Sequence, residues 1–253
     1  MNQNNRNNAN VPDDLRFNNE KRLPVCIVVD GSSSMRRKDG SQLSRLERVR
    51  QGINQLYAEL AENETTASAV EVAVVSFADF PTIVQNFMTV DNLEDIEELP
   101  CGGNTDLGGG VLTALTLLNE RKELYKRAGT SYFQPWLIIF SDGRPFGKDA
   151  KFIADNLAAA QRQATEDVND KKLTVYPVFI GDFREADDDP TVEELDKEAN
   201  KFLEAFSPKQ KPIILGSAKL SSFFKFLSQS FAGETRGAAA PAWVESDDWD
   251  DEE

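Results

Sequence analysis

Histidine is missing from all 253 residues of the chain. That absence excludes Ser-His-Asp and Cys-His nucleophile systems, and it leaves a zinc site only two cysteines and carboxylates to work with. Most hydrolytic mechanisms end there. Cysteine is almost as scarce: Cys26 and Cys101 are too few for a disulfide framework and read as buried thiols. No run approaches the roughly 20 apolar residues that span a bilayer, and the first residues carry no apolar signal-peptide core. The expectation is a cytoplasmic protein that does not enter a membrane. Positive charge is in deficit too. Against 43 Asp and Glu stand 28 Lys and Arg, a formal net charge of −15, which argues against nucleic acid or an anionic membrane surface as the main partner.

What is present suffices for one core. The hydrophobic fraction is 40%, and both ends of the chain read as tails rather than as domains. Residues 1–21 are asparagine-rich and expected to be disordered; 22–232 form the domain; 233–253 are an acidic tail, with seven acids among its last nine residues. Apolar runs rich in β-branched residues alternate with segments of helical periodicity. Strands are expected at 23–29, 70–77, 82–88, 135–140, 173–180 and 212–215, with the third forming an antiparallel edge hairpin on the second. Helices are expected from Ser44, from Leu107 to about Tyr125, and over 148–168, 192–206 and 220–231. This order predicts an α/β fold with a doubly wound, mostly parallel, Rossmann-like sheet and one antiparallel edge strand.

In such a sheet, ligands bind beyond the carboxyl ends of the strands, where strand order reverses. Three loops are expected to gather there. The first strand ends in Asp30-Gly31-Ser32-Ser33-Ser34, a later loop reads Gly102-Gly103-Asn104-Thr105, and the fourth strand ends in Ser141-Asp142-Gly143. Hydroxyls and carboxylates are hard oxygen donors suited to a cation such as Mg²⁺. The alternative for the first loop is a serine-rich turn capping the next helix. The glycines of 102–110 lack the Gly-Lys-Ser/Thr ending of a P-loop and the spacing of a dinucleotide site, so no nucleotide is expected. Three of them open a helix, at nearly 1 kcal/mol each relative to alanine, which implies that the backbone there approaches something closely.

Together the three loops resemble the metal-ion-dependent adhesion site of von Willebrand factor A (vWA) domains: D-x-S-x-S, a threonine in a glycine-rich loop, and an aspartate after a later strand. The likeness covers about Leu23 to Phe231. Within the family the chain is similar to the bacterial TerY-like group associated with tellurium and stress resistance, through Ala69 to Val75 and the ending Phe223 to Ser230. The resemblance implies that Ser32 and Ser34 bind Mg²⁺ (or Mn²⁺) directly, that Thr105 joins directly or through water, and that Asp30 and Asp142 act through bound waters. It also implies a cytoplasmic, non-enzymatic binding module that grips a carboxylate of a protein partner, in a stress or defence system beside a protein kinase or phosphatase. Ser33 departs from the glycine that many members of the group carry, and Arg144 stands where an acid is common.

Other residues carry plainer expectations. Asp106 is read as complementing a helix dipole rather than as a ligand, and Asp39 and Asp79 as sitting in solvated turns. The rings of 223–226 are too many for one helical face, so one is expected near the surface. Arg36, Arg37, Lys38, Arg144 and Lys148 rim the metal edge, either as ordinary solvated charge or as steering for an acidic partner. Two alternative functions are a Mg²⁺-dependent phosphohydrolase with Asp30 as nucleophile, disfavoured because Ser32 stands where its acid/base carboxylate belongs, and a scaffold with a vestigial metal site. The acidic tail itself resembles the ligand such a site prefers, so weak self-association in trans is also expected.

Overall fold

Eight consecutive buried residues form strand β1, Leu23–Asp30, and their side chains alternate between two separate cores. Val25, Ile27 and Val29 face one apolar cluster; Cys26 and Val28 face the other. Burial on both faces explains why the run is continuously apolar rather than alternating. The computed structural model describes residues 12, 15, 20–181, 200–216 and 219–238.

After β1 come a 3₁₀ turn, Ser33–Arg36, and helix α1, Arg45–Ala61, whose N-cap Ser44 accepts a hydrogen bond from Glu47 N. A short helix α2, Glu64–Ala69, leads into β2, Val70–Phe77, and the hairpin strand β3, Pro81–Thr89. Helix α3, Leu107–Ala128, precedes β4, Trp136–Ser141, and helix α4, Ala150–Asn169, precedes β5, Thr174–Ile180. Residues 200–204 are helical; β6, Ile213–Leu215, and helix α5, Leu220–Thr235, follow. The sheet order is β3-β2-β1-β4-β5-β6, parallel except for the β2–β3 pair. The expected α/β sheet with one antiparallel edge strand is therefore present. Its order reverses between β1 and β4, so the crevice lies beyond Asp30 and Ser141.

Helices α1 and α5 cover one face, and α3 and α4 the other. Gly52 in α1 leaves a notch filled by the Phe224 ring, because a Cβ there would lie 2.1 Å from a ring carbon. The α5 rings run along the sheet: Phe223 and Phe224 pack on Phe140, and Phe231 meets Trp136 edge-on at 5.0 Å. Contrary to expectation none of these helix rings reaches the surface, because Phe226 also tucks against Tyr176. The close approach expected at the α3 glycines is also found. A Cβ on Gly108 would lie 2.3 Å from the Leu157 backbone nitrogen, so glycine lets α3 and α4 touch backbone to backbone.

Short helix α2 was not expected, since its six residues show no apolar periodicity; Asn63 starts it by capping Thr66 N. Of the two thiols only Cys26 is fully buried, while Cys101 is half-exposed in a loop, which corrects the reading of both as buried. Leu15 packs against Tyr125. Most of the expected N-terminal tail, the acidic tail beyond 238 and the start of the 192–206 helix lie outside the described residues. No described helix is long and apolar enough to cross a membrane.

A candidate metal centre at the carboxyl edge

Asp30 ends β1 fully buried, and both its oxygens are spoken for. Oδ1 accepts the Ser32 backbone N–H at 2.8 Å, which folds the loop back on itself, and Oδ2 accepts the Ser141 hydroxyl at 2.6 Å. This fold brings Ser32 and Ser34 together, with their Oγ atoms 3.0 Å apart. Ser34 in turn donates to Asp142 Oδ1 at 2.6 Å. Four of the five expected residues, Asp30, Ser32, Ser34 and Asp142, thus meet through Ser141 and the Ser34 hydroxyl.

Thr105 comes to the same edge by its backbone. It exchanges two hydrogen bonds with Phe146, Thr105 N to Phe146 O at 2.8 Å and Phe146 N to Thr105 O at 3.1 Å. The Ser33 hydroxyl donates to Gly103 O at 3.3 Å, and Gly102 N donates to Gly31 O at 2.7 Å, stitching the glycine loop to the β1 loop. The Thr105 side chain is nearly buried, yet no described hydrogen bond joins its hydroxyl to the other four residues.

The donor set fits a hard cation. Adjacent ligands of an octahedral Mg²⁺ at 2.0–2.1 Å lie about 3.0 Å apart, the separation that Ser32 and Ser34 already have. A hydroxyl can ligate only when its proton points elsewhere, and the Ser34 proton is directed at Asp142. Among the described residues no three Asp, Glu or Cys side chains converge as a cation site, so a cation at this edge would need the hydroxyls as ligands.

Electrostatics point the same way. Burial, then the nearby charge of Asp142, pushes the Asp30 carboxyl up to about 7 despite its hydrogen bonds. The Asp142 carboxyl is also raised, by burial, against the opposing pull of Ser34 and Arg45. Two close, dehydrated carboxylates destabilise each other, and a cation between them relieves the repulsion.

The most important residue missed from sequence is Arg45. Its Nη1 donates to Asp142 Oδ2 at 2.9 Å, while Nε and Nη2 grip both oxygens of Asp39 at 2.5 and 2.8 Å. Arg48 adds a third bond to Asp39, at 2.9 Å. Asp39 is therefore no solvated turn residue, and its arginine partners hold its carboxyl below the usual range against the opposing effect of burial. A signal was available. Arg45 is the first residue of a helix, where a cation opposes the dipole and needs a carboxylate to hold it. Asp79, exposed as expected, also has a structural role, accepting hydrogen bonds from Asn104 N and Nδ2. Asp106 caps α3 as expected, accepting from Gly109 N at 2.9 Å. In the basic rim, Arg36 reaches over to Cys101, through its Sγ at 3.4 Å and its carbonyl at 3.3 Å.

Residues 25–144 match the family model described as the von Willebrand factor type A domain. Over that stretch, just under half of the chain, the sequence is that of a vWA domain. Solved structures share its fold at low sequence identity. The PilB minor pilin of Streptococcus sanguinis aligns with TM-score 0.59 and 14% identity over 85% of this chain, which spans only 62% of the pilin. The vWF domain of the type V pili tip protein Mfa5 of Porphyromonas gingivalis aligns with TM-score 0.59 and 13% identity, over 90% of this chain and 99% of that domain. The pilus adhesin SpaC of Lactobacillus rhamnosus GG aligns with TM-score 0.61 and 15% identity, over 86% of this chain and 31% of the adhesin. No curated protein sequence matches the chain.

Proposed function

We propose that this vWA domain is a Mg²⁺-dependent protein-interaction module whose metal is held by Ser32, Ser34 and Thr105, with Asp30 and Asp142 acting through bound waters. The observation that carries this reading is the convergence of Ser32, Ser34 and Asp142 at ligand-edge spacing on the topological switch point. Neutral hydroxyl ligands leave the cation's charge under-compensated, so an open coordination position attracts a carboxylate from a partner. Arg45 restrains that charge by claiming one oxygen of Asp142. The module serves binding and no catalysis, since position 32 lacks the carboxylate that a phosphohydrolase built on Asp30 would need.

The TerY-like sequence resemblance supports a cytoplasmic setting in a bacterial stress-resistance or defence system, with a kinase or phosphatase of that system as the partner. The pilin and adhesin names attached to proteins of the same fold support protein binding in general.

Calorimetric titration with Mg²⁺ and Mn²⁺ tests the site. Asp30→Ala and Thr105→Ala should weaken metal binding roughly 10–100-fold and abolish chelator-sensitive capture of the partner from the native host, with little change in melting temperature. Retained metal binding, or unfolding of either variant, removes these residues from the role.

A further inference from the structure

All three exposed phenylalanines among the described residues lie around the candidate metal centre. Phe80 is 75% exposed, Phe146 62% and Phe152 49%. Their positions are fixed by the site itself. Phe146 pairs through its backbone with Thr105, Phe80 follows the Asp79 that holds Asn104, and Phe152 stands in the first turn of α4. Exposed Lys148 shares the loop of Phe146, and exposed Arg37 and Lys38 lie on the loop after β1 at the same edge. A rim that is both aromatic and cationic, on a chain of net charge −15, calls for a ligand that is both apolar and acidic.

The chain contains such a segment. Residues 243–253 read Trp-Val-Glu-Ser-Asp-Asp-Trp-Asp-Asp-Glu-Glu, and hold two of the three tryptophans of the protein; the third, Trp136, is in the core. We infer that the metal edge of one copy docks segment 243–253 of a second copy. The tryptophans pack on the phenylalanines and basic side chains, and one carboxylate reaches the cation. This deepens the metal-binding reading above and rests on it for the last contact.

Docking the segment with both tryptophans on the rim requires a second copy, because only Trp249, eleven residues past Ala238 and so within about 40 Å of it, could reach its own rim. Helix α5 runs from Phe223 and Phe224 beside Phe140, at the carboxyl end of β4, to Phe231 beside Trp136 at its start. The chain therefore leaves the fold at the edge opposite the metal. The seven steps of β1 alone separate the two edges by about 23 Å, whereas the five residues from Ala238 to Trp243 extend at most about 18 Å. Trp243 cannot reach its own rim. Two copies can exchange segments around a two-fold axis and satisfy both sites.

The test uses full-length protein and a labelled synthetic peptide of residues 242–253. In sedimentation, the natural chain should associate in Mg²⁺ and dissociate in chelator and at high salt. The W243A/W249A and F80S/F146S variants should each stay monomeric, yet pair when mixed, because one supplies the rim and the other the segment. By fluorescence anisotropy the peptide should bind the W243A/W249A protein, and F80S/F146S should weaken that binding by about tenfold or more. If Mg²⁺ binds by calorimetry but neither peptide binding nor self-association is seen, this inference falls and the metal site stands. If the peptide binds in a Phe80- and Phe146-dependent way but ignores chelator, docking stands and the carboxylate contact to the cation is overturned, while calorimetry alone decides the metal site. Equal binding of a peptide with both tryptophans replaced by alanine, or of an unrelated acidic-apolar peptide, overturns the assignment of this segment as the occupant.

Discussion

Two buried polar clusters sit at opposite ends of the sheet, and they solve the problem of charge in opposite ways. At the amino edge Glu71 is fully buried. Arg121 grips it at 2.7 and 2.9 Å, Tyr125 donates to it at 2.5 Å, and Arg22 lies 3.4 Å away. Its carboxylate oxygens are saturated by protein groups alone, so nothing remains for a ligand to do. At the carboxyl edge Asp30 is held largely by hydroxyl and backbone donors and Asp142 by a single guanidinium, and the serine oxygens between them keep free lone pairs. Buried ions that are fully paired stabilise a particular packing; buried carboxylates lined with hydroxyls store a demand for a cation.

The contrast breaks most visibly at Glu71. Glu71→Ala leaves two buried arginines facing each other, and urea denaturation should show a loss of about 4–5 kcal/mol that Mg²⁺ does not restore. A loss under 1 kcal/mol would mean that the amino-edge cluster is not the structural one.

Arg45→Met tests the opposite edge. It strips Asp39 and Asp142 of their shared cation, which should cost about 3 kcal/mol in chelator. Added Mg²⁺ should recover part of that, because a bound cation replaces the missing charge. Thermal melts that show the same deficit with and without Mg²⁺ would contradict the stored-demand view.

A smaller effect is expected from pH. A carboxyl raised to about 7 in the folded protein holds its proton more tightly than in the unfolded chain. Its contribution to stability is complete below the unfolded value near 3.9 and is lost as pH rises through 7. Stability in chelator should therefore fall by about 2 kcal/mol between pH 5.5 and 7, and Asp30→Asn should flatten the curve. A flat curve for the unaltered chain would place the charge demand elsewhere.

The smallest effect separates a cap from a ligand. Asp106→Ala should cost about 1 kcal/mol as a lost N-cap and leave Mg²⁺ affinity unchanged in calorimetry. A drop in affinity would add Asp106 to the site.

The sequence made strands legible wherever apolar runs ended sharply, and β2 falls on the expected 70–77. Asp30, Ser32, Ser34 and Asp142 were legible for the same reason: each stands directly after a buried strand, and the parallel order carries both strand ends to one edge. The pairing of Arg45 with Asp39 and Asp142 was not, although the place of Arg45 at a helix start hinted at some carboxylate partner. The Arg45 to Asp142 contact spans 97 positions, and a charged residue in a glycine-containing turn reads as solvated until its partner is located. Exposed phenylalanines were likewise invisible, because an apolar residue in a loop carries no periodicity to say which way it faces.

The notch at Gly52 bears on how the molecule behaves under load. With the Phe224 ring seated in α1 and Phe223 and Phe231 wedged against the sheet, α5 is keyed in place like a bolt in a slot. Sliding it along its axis would mean lifting that ring out of its seat and opening a cavity in the core, at a cost of several kcal/mol. A disturbance at the carboxyl edge is therefore expected to stay in the loops there rather than be passed on as a shift of the last helix.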